Sequence, residues 1–249
     1  MLLICVGIAA SAPSLGAQAS GRWPPDSLVN TLVIPQTTPV IQVIGAMRNF
    51  AFALGVRCQY CHVGEEGLPL EQFDFPSDDK PTKLIARQMM RMVQEINRRI
   101  DTLPGHDGHA GHPLQVTCAT CHRGVSRPLP LSELLVAASL AGGADSALRA
   151  YRRLRDRYYG RDAYDFSEPS LNIAAFRLGR AGKFDDAFAL LGRNEELYPG
   201  SSAMYVFRGN INLMRADTAA AATAFREALR RDSTNAEARG RLRDLGPRP

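Results

Sequence analysis

The clearest chemistry in this 249-residue sequence is a cysteine pattern that occurs twice. The segments 58–62 and 118–122 both read C-x-x-C-H. Two thiols at this spacing can form thioethers with the two vinyl groups of one porphyrin, and the histidine that follows can then bind the iron. The repeated pattern therefore predicts two covalently bound haem c groups. The predicted thioether residues are Cys58, Cys61, Cys118 and Cys121, and the predicted proximal iron ligands are His62 and His122.

Two other uses of paired cysteines are weaker interpretations. Two C-x-x-C pairs can hold one zinc ion, but the gap from Cys61 to Cys118 is far wider than in zinc ribbons. A zinc site also has no need of a histidine after both pairs. A thioredoxin-like site requires one such pair beside a βαβ pattern, which the sequence lacks. Haem attachment accounts for four of the five cysteines and leaves only Cys5.

The segment before the first motif predicts a helix. Apolar residues recur at helical spacing over 40–54, with Thr38 expected as the N-cap and Gly55 as the C-terminal cap. Met47 lies on this apolar stripe, eleven residues before the first cysteine of the motif. Methionine on an apolar face usually packs in a core. Because a haem iron needs a sixth ligand and no histidine precedes the motif, Met47 is the predicted axial ligand.

A second amphipathic helix is predicted over about 81–100, before the second motif. Asp78 and Asp79 precede it, where they are expected to favour the positive end of the helix dipole. Its apolar stripe contains Met89 and Met92, and one of them is expected to be the sixth ligand of the second haem. The spacing alone leaves the choice between these two open.

Two further groups of polar residues have several possible roles. A glycine-rich loop holds three histidines, which suit a solvated loop, a metal site or a replacement haem ligand. These are His106, His109 and His112. Three arginines are candidates to pair with haem propionates, or else face solvent. They are Arg87, Arg123 and Arg127.

The N-terminus is typical of an exported protein. Residues 1–19 combine a short apolar run with small residues that end in the A-x-A-like sequence 17–19. This pattern predicts a signal peptide and hence a periplasmic location. No basic residue precedes Arg22, so the true start is expected upstream of Met1. A lipid anchor on Cys5 is the less favoured alternative, because small residues do not precede it.

Composition excludes several classes of protein. Hydrophobic residues make up 45% and charged residues 22% of the chain, which is typical of a folded protein. The net charge of +5 comes without a lysine or arginine block, so a nucleic-acid partner is not expected. The apolar run over 2–10 is about half the length that a membrane-spanning helix needs. A multi-span membrane protein is therefore excluded, and the charge favours acidic partners.

The C-terminal half predicts helical repeats. Two segments align at a 34-residue offset, which pairs Ala187 with Ala221 and Leu191 with Phe225. This is the tetratricopeptide period, in which small residues let antiparallel helices pack closely. A plain helical bundle is the alternative. The whole chain is thus predicted to be all-α, with a signal peptide at 1–19, a dihaem cytochrome c domain at 20–130 and a TPR-like solenoid at 131–249.

Taken together, these segments resemble a known family. Residues of about 38–128 are similar to the cytochrome c subunit of bacterial photosynthetic reaction centres, in Met47 and in the segments 55–62, 83–97 and 116–124. That family carries four haems as two pairs, so this chain resembles one half of it. The resemblance implies Met47 and Met89 as the axial methionines, and it favours Met89 over Met92.

The resemblance implies an electron carrier and not an enzyme. Its partners would be redox proteins, among them a membrane reaction centre or another electron-transfer complex, with peripheral association with the membrane. Two alternatives remain open. A dihaem peroxidase would need one iron with an exchangeable sixth position. A partner-binding scaffold would act through the repeats, with the haems accessory.

Overall fold

The structure is a computed structural model that describes residues 22–104 and 114–246. The chain divides into two compact units on either side of the bond between Ser126 and Arg127, four residues before the predicted boundary. Several sequence predictions fall outside the described residues. They are the signal peptide 1–19 with Cys5, and His106, His109 and His112 of the glycine-rich loop.

The described part of the first unit contains three helices. These are α1 (Val40–Leu54), α2 (Pro81–Ile100) and the short α3 (Cys118–His122). Two 3-10 turns, at Cys58–Tyr60 and Leu70–Gln72, lie between α1 and α2. Throughout the described residues, helices and turns dominate and no strand longer than an isolated bridge occurs, as an all-α fold predicts.

The ends of α1 confirm one prediction and correct another. Gly55 ends the helix in the left-handed conformation, with φ 66° and ψ 34°, as its position predicts. Thr38 is not the N-cap. Pro39 occupies that position, because its carbonyl accepts from the amides of Gln42 and Val43.

Helix α2 buries the opposite face from the one that its pattern predicts. Met89 and Met92 on the apolar stripe are 40% and 49% exposed, whereas Lys83 and Arg87 are buried. Asp78 does not act on the helix dipole alone, because its carboxylate pairs with both buried cations. The expectation that Arg87 faces solvent is wrong, since its buried guanidinium donates to protein groups, while its pairing with a propionate stays a prediction.

Residues 127–246 of the second unit form six helices. They are α4 (Leu131–Tyr158), α5 (Glu168–Arg180), α6 (Phe184–Leu197), α7 (Ser202–Met214), α8 (Thr218–Arg231) and α9 (Ala236–Leu245). Both ends of α7 follow the ends of α5 by 34 residues, and α8 follows α6 by the same offset. The helix bounds thus recur with the period found in the sequence, while the tetratricopeptide assignment itself stays a prediction.

The second unit has a continuous apolar core. Leu135, Leu190 and Phe225 have 0% of their surface exposed, and Tyr151 has 1%. Gly209 on α7 lies against the ring of Phe225, where an added Cβ atom would come within 2.4 Å. The missing side chain is therefore what lets α7 and α8 pack closely.

By length and composition alone, helix α4 could cross a membrane. Its backbone leaves helical geometry at Gly142 and Gly143, which divides it into two arms. Leu131 and Leu135 in the first arm and Tyr151 in the second are buried in the core of this unit. The packing is that of a core helix with a kink at a glycine pair.

Candidate haem sites

The first C-x-x-C-H motif follows α1 after a tight turn. Cys58 begins a 3-10 turn and is exposed, whereas Cys61 is half-buried. The amide of His62 donates to the carbonyl of Cys58 at 2.9 Å, which brings the motif into one compact turn. Burial raises the pKa of the Cys61 thiol, although the hydroxyl of Thr82 opposes this effect.

The imidazole of His62 is held by the loop that follows the motif. Its Nδ1 lies 3.2 Å from the carbonyl oxygen of Phe75, and its ring meets the Phe75 ring edge-on with centroids 4.9 Å apart. Burial and then the charge of Lys83 lower the pKa of His62, so the ring is neutral at pH 7. A neutral imidazole whose Nδ1–H donates to a carbonyl presents Nε2 as the nitrogen that can bind iron.

The second motif forms α3 itself. Thr117 caps this helix, and its amide donates to the side chain of Thr120 at 3.0 Å. Nδ1 of His122 lies 2.9 Å from the carbonyl oxygen of Val125. The arrangement repeats that of the first motif, since a backbone carbonyl again fixes Nδ1. Burial raises the pKa of the Cys118 thiol.

A buried lysine organises the loop that holds His62. Nζ of Lys83 donates to the carbonyl oxygens of Phe75, Pro76 and Ser77 at 2.8, 2.9 and 2.7 Å. It also lies 3.2 Å from the carboxylate of Asp78. Burial lowers the pKa of Lys83 while Asp78 raises it. Three convergent carbonyls and one carboxylate are the partners that a buried ammonium requires.

Arg87 and Asn30 complete this polar cluster. The guanidinium of Arg87 donates to Asp78 and to the carbonyl of Asn30, both at 2.8 Å. The side-chain amide of Asn30 donates to the carbonyl of Pro76 at 2.6 Å. Arg87 first and Asn30 second hold the pKa of Asp78 well below its usual range. The cluster thus ties the N-terminal segment, the loop and α2 together beside His62.

Asn97 binds the backbone just before the second motif. Its side-chain amide donates to the carbonyl of Val116 at 2.9 Å, and its side-chain oxygen accepts from the amide of the same residue at 2.8 Å. These two bonds dock the segment that enters α3 onto the C-terminal half of α2.

Each motif is also braced by the helix of the other. The amide of Gly124, just after the second motif, donates to the carbonyl of Ala53 in α1 at 2.8 Å. An added Cβ atom on Gly55 would lie only 2.0 Å from the carbonyl oxygen of Gly124, so this contact requires glycine. The hydroxyl of Thr82, at the start of α2, donates to the carbonyl of Tyr60 in the first motif.

The residues around both motifs fit haem c. Each site offers two thiols and one imidazole whose Nδ1 is already engaged. Large apolar side chains on α1 and α2 are exposed in the polypeptide. Such side chains are suited to cover the apolar face of a porphyrin. They include Phe52 (86%), Ile85 (55%) and Met89 (40%). Met47 lies half-buried on α1, and its role and that of Met89 as iron ligands stay predictions.

The four cysteines are not gathered at one point. Across residues 22–104 and 114–246, no three His, Cys, Asp or Glu side chains are placed to hold one metal ion. Four thiolates in one tetrahedral zinc site would form such a group. This placement favours one pair of cysteines at each site over a shared four-thiolate site.

Sequence reasoning missed residues that position the two histidines or the segments beside them. Lys83, Phe75 and Asn97 bear no recognisable motif, and backbone carbonyls leave no signature in a sequence. One signal was present, since Lys83 and Arg87 are four residues apart on the face of α2 opposite the methionine stripe. Two cations on one helix face indicate a shared anionic or carbonyl partner as readily as they indicate solvent.

Comparison with known proteins finds a family match for the residues around both motifs. Residues 37–133 match the model of the photosynthetic reaction centre cytochrome C subunit family. We call these residues the cytochrome segment, and they are similar to that family over this range. Covalently bound haem c is the cofactor that a cytochrome c family implies.

Individual relatives match the same cytochrome segment. Cytochrome c-554 of Chloroflexus aurantiacus is 42% identical over 71 residues, which are 28% of this chain and 14% of the relative. The photosynthetic reaction center cytochrome c subunit of Thermochromatium tepidum is 34% identical over 91 residues, 34% of this chain and 21% of the relative. That of Rubrivivax gelatinosus is 32% identical over 91 residues, 34% of this chain and 23% of the relative. The match thus spans less than a quarter of each of these relatives.

Proposed function

We propose that this protein is an electron carrier with two haem c groups, one at each C-x-x-C-H motif. The observation that carries the proposal is the matched pair of histidines, each beside two thiols and each with Nδ1 at a backbone carbonyl. When bound, each haem supplies reversible one-electron exchange between Fe(III) and Fe(II). The polypeptide anchors the porphyrin through its thiols, orients Nε2 and covers the ring with apolar side chains.

The haem count is the first test. The full chain, produced in a host that attaches haem c, should give two haems per chain in a pyridine haemochrome assay. The pigment should stay with the polypeptide in acidified organic solvent, because thioether bonds are covalent. One haem per chain, or pigment that extracts, would contradict the proposal. The variant Cys118→Ala/Cys121→Ala should retain one haem. The haem that it loses is then assigned to the second motif.

We assign Met47 and Met89 as the axial ligands opposite His62 and His122. Met47→Ala and Met89→Ala should each remove the near-infrared methionine–Fe(III) absorption of one haem. Met92→Ala is the matched control, because Met92 lies on the same exposed stripe three residues further on. The assignment of Met89 fails if Met92→Ala removes the band and Met89→Ala does not.

Filled axial positions distinguish a carrier from a peroxidase. With histidine and methionine on both irons, carbon monoxide should bind poorly to the reduced protein. Rapid binding of one carbon monoxide per chain would instead favour the dihaem enzyme.

The redox partner should present an acidic surface. Arg127–Pro249 contains 20 of the 30 basic residues and 15 of the 25 acidic ones, so this unit carries the whole net charge of +5. Because two of the relatives are named as reaction centre subunits, a membrane reaction centre is the proposed acceptor. Electron transfer to host membranes should then slow as salt rises. A rate independent of salt would contradict an electrostatic docking step.

Export to the periplasm is the remaining part of the proposal. Covalent attachment of haem c takes place outside the bacterial cytoplasm, and residues 1–19 have the pattern of a signal peptide. Protein isolated from the periplasm should begin after about Ala19. A cytoplasmic protein that retains this segment would contradict export.

A further inference from the structure

Two donors share one carbonyl oxygen at the first motif. Phe75 accepts from Nδ1 of His62 at 3.2 Å and from the ammonium of Lys83 at 2.8 Å. The Lys83 side chain is 11% exposed, so water screens its charge little. An acceptor already engaged by a cation has less electron density to offer a second donor.

The second motif lacks this cation. Nδ1 of His122 reaches the carbonyl of Val125 at 2.9 Å, shorter than the corresponding distance at His62. In the described residues, no lysine or arginine side chain donates to that carbonyl. The two histidines therefore have the same type of partner but partners of different strength.

We propose that Lys83 is a positioning residue that sets the reduction potential of the first haem above that of the second. A strong acceptor on Nδ1 gives imidazole anionic character, which stabilises Fe(III) and lowers the potential. At His62 the lysine weakens the acceptor, and its buried positive charge also disfavours Fe(III). Both effects raise the potential. The inference rests on the proposed function, because it requires a haem at each motif.

One consequence is the position of the electron in the half-reduced protein. With one electron per chain, the iron at His62 is Fe(II) and the iron at His122 is Fe(III). Half-reduced wild-type protein tests this by NMR without any variant. The ring of Phe75, whose centroid lies 4.9 Å from that of the His62 imidazole, identifies the haem at His62. Paramagnetic shifts that stay with the His62 haem would overturn the proposal.

A redox titration of the full-length holoprotein tests the role of Lys83. In Lys83→Gln the higher of the two midpoints should fall, with at least a tenfold shift in the equilibrium between the two half-reduced forms, or about 59 mV for one electron. Lys83→Arg should restore most of the potential because it keeps the charge. Arg99→Gln is the matched control, since it removes a cation from the same helix at a site that is 79% exposed.

The outcomes are distinct from those that test the proposed function. If Lys83→Gln retains two haems and neither midpoint moves, or only the lower midpoint moves, Lys83 does not set the order. An equal shift in Arg99→Gln would show a general charge effect and would also overturn the proposal. A wild-type haem count below two would instead refute the proposed function. If Lys83→Gln loses haem, the NMR result on wild-type protein decides the order of potentials.

Discussion

The two units of this protein are stabilised in different ways. In the second unit, a continuous cluster of buried apolar side chains joins every helix from α4 to α9. Among residues 22–104 and 114–126 of the first unit, only four apolar residues are buried, and the buried face of α2 holds two cations. Those four are Val43, Ala53, Phe73 and Val125. Apolar burial is thus the main source of stability in the second unit, whereas the first depends more on polar clusters and on what covers its exposed apolar face.

Removal of haem is the strongest test of this difference. The full chain made without haem attachment should lose protection over 22–104 and 114–126, while 127–246 keeps its helices. Because the first unit buries so little apolar surface by itself, cofactor binding should supply most of its folding free energy. Hydrogen exchange read by segment compares the haem-free chain with the holoprotein. Equal protection of the first unit in both forms would remove the contrast.

Truncation of Phe225 tests the core of the second unit. Phe225→Ala should lower the free energy of unfolding by about 3–5 kcal/mol, because a fully buried aromatic ring is replaced by a cavity. Denaturant unfolding followed by circular dichroism measures the loss, and the haem absorption should not change. Ile173→Ala, at a site 44% exposed, is the control and should shift stability by less than about 0.5 kcal/mol. A similar loss in both variants would contradict a tightly packed core.

Gly55, the C-cap of α1, and Gly45 within that helix test whether backbone contacts hold the first unit. Gly55→Ala should cost about 2–4 kcal/mol, since it places a Cβ atom 2.0 Å from the Gly124 carbonyl oxygen at a positive φ. Gly45→Ala is the matched control in the interior of the same helix, where nothing lies within 4 Å of the added atom. It should stabilise by about 0.5–1 kcal/mol. Thermal unfolding of the holoproteins measures both, and equal effects would contradict the close approach of α1 to the second motif.

Substitution of Asp78 should have the smallest effect on stability, and that effect should depend on pH. Because Arg87 and Asn30 hold the pKa of Asp78 below its unfolded value, its contribution to stability is complete above about pH 4. That contribution is lost as pH falls toward the folded pKa. Asp78→Asn should therefore flatten the acid side of the stability profile of the first unit. The shift of the acid midpoint should be below about half a pH unit, because the carboxylate is 39% exposed.

The acid-unfolding measurement has an internal control in the second unit. Its helices should show the same acid profile in wild-type protein and in Asp78→Asn. A profile for the first unit that retains its full slope without Asp78 would show that the polar cluster does not respond to this carboxylate.

Much of the fold followed from local patterns. The ends of α2 at Pro81 and Ile100 and the glycine cap of α1 agree with the sequence predictions, because proline geometry and left-handed glycine act within one turn. The error at Thr38 was a single position at a helix end, where residues next to each other compete for the same role. The apolar stripe of α2 misled for a different reason, since periodicity identifies an apolar face without identifying what covers it.

At the haem sites, too, some features follow from the sequence and others only from the tertiary structure. The spacing of Cys58, Cys61 and His62, and of their counterparts at the second motif, is fixed by the sequence because thioether attachment is local chemistry. The hydrogen bonds that orient the histidines come from the backbone of Phe75 and Val125, and any residue type carries such a carbonyl. Only the tertiary structure decided that Lys83 shares one of these carbonyls and that no described lysine or arginine donates to the other, because this depends on how a loop folds onto a helix.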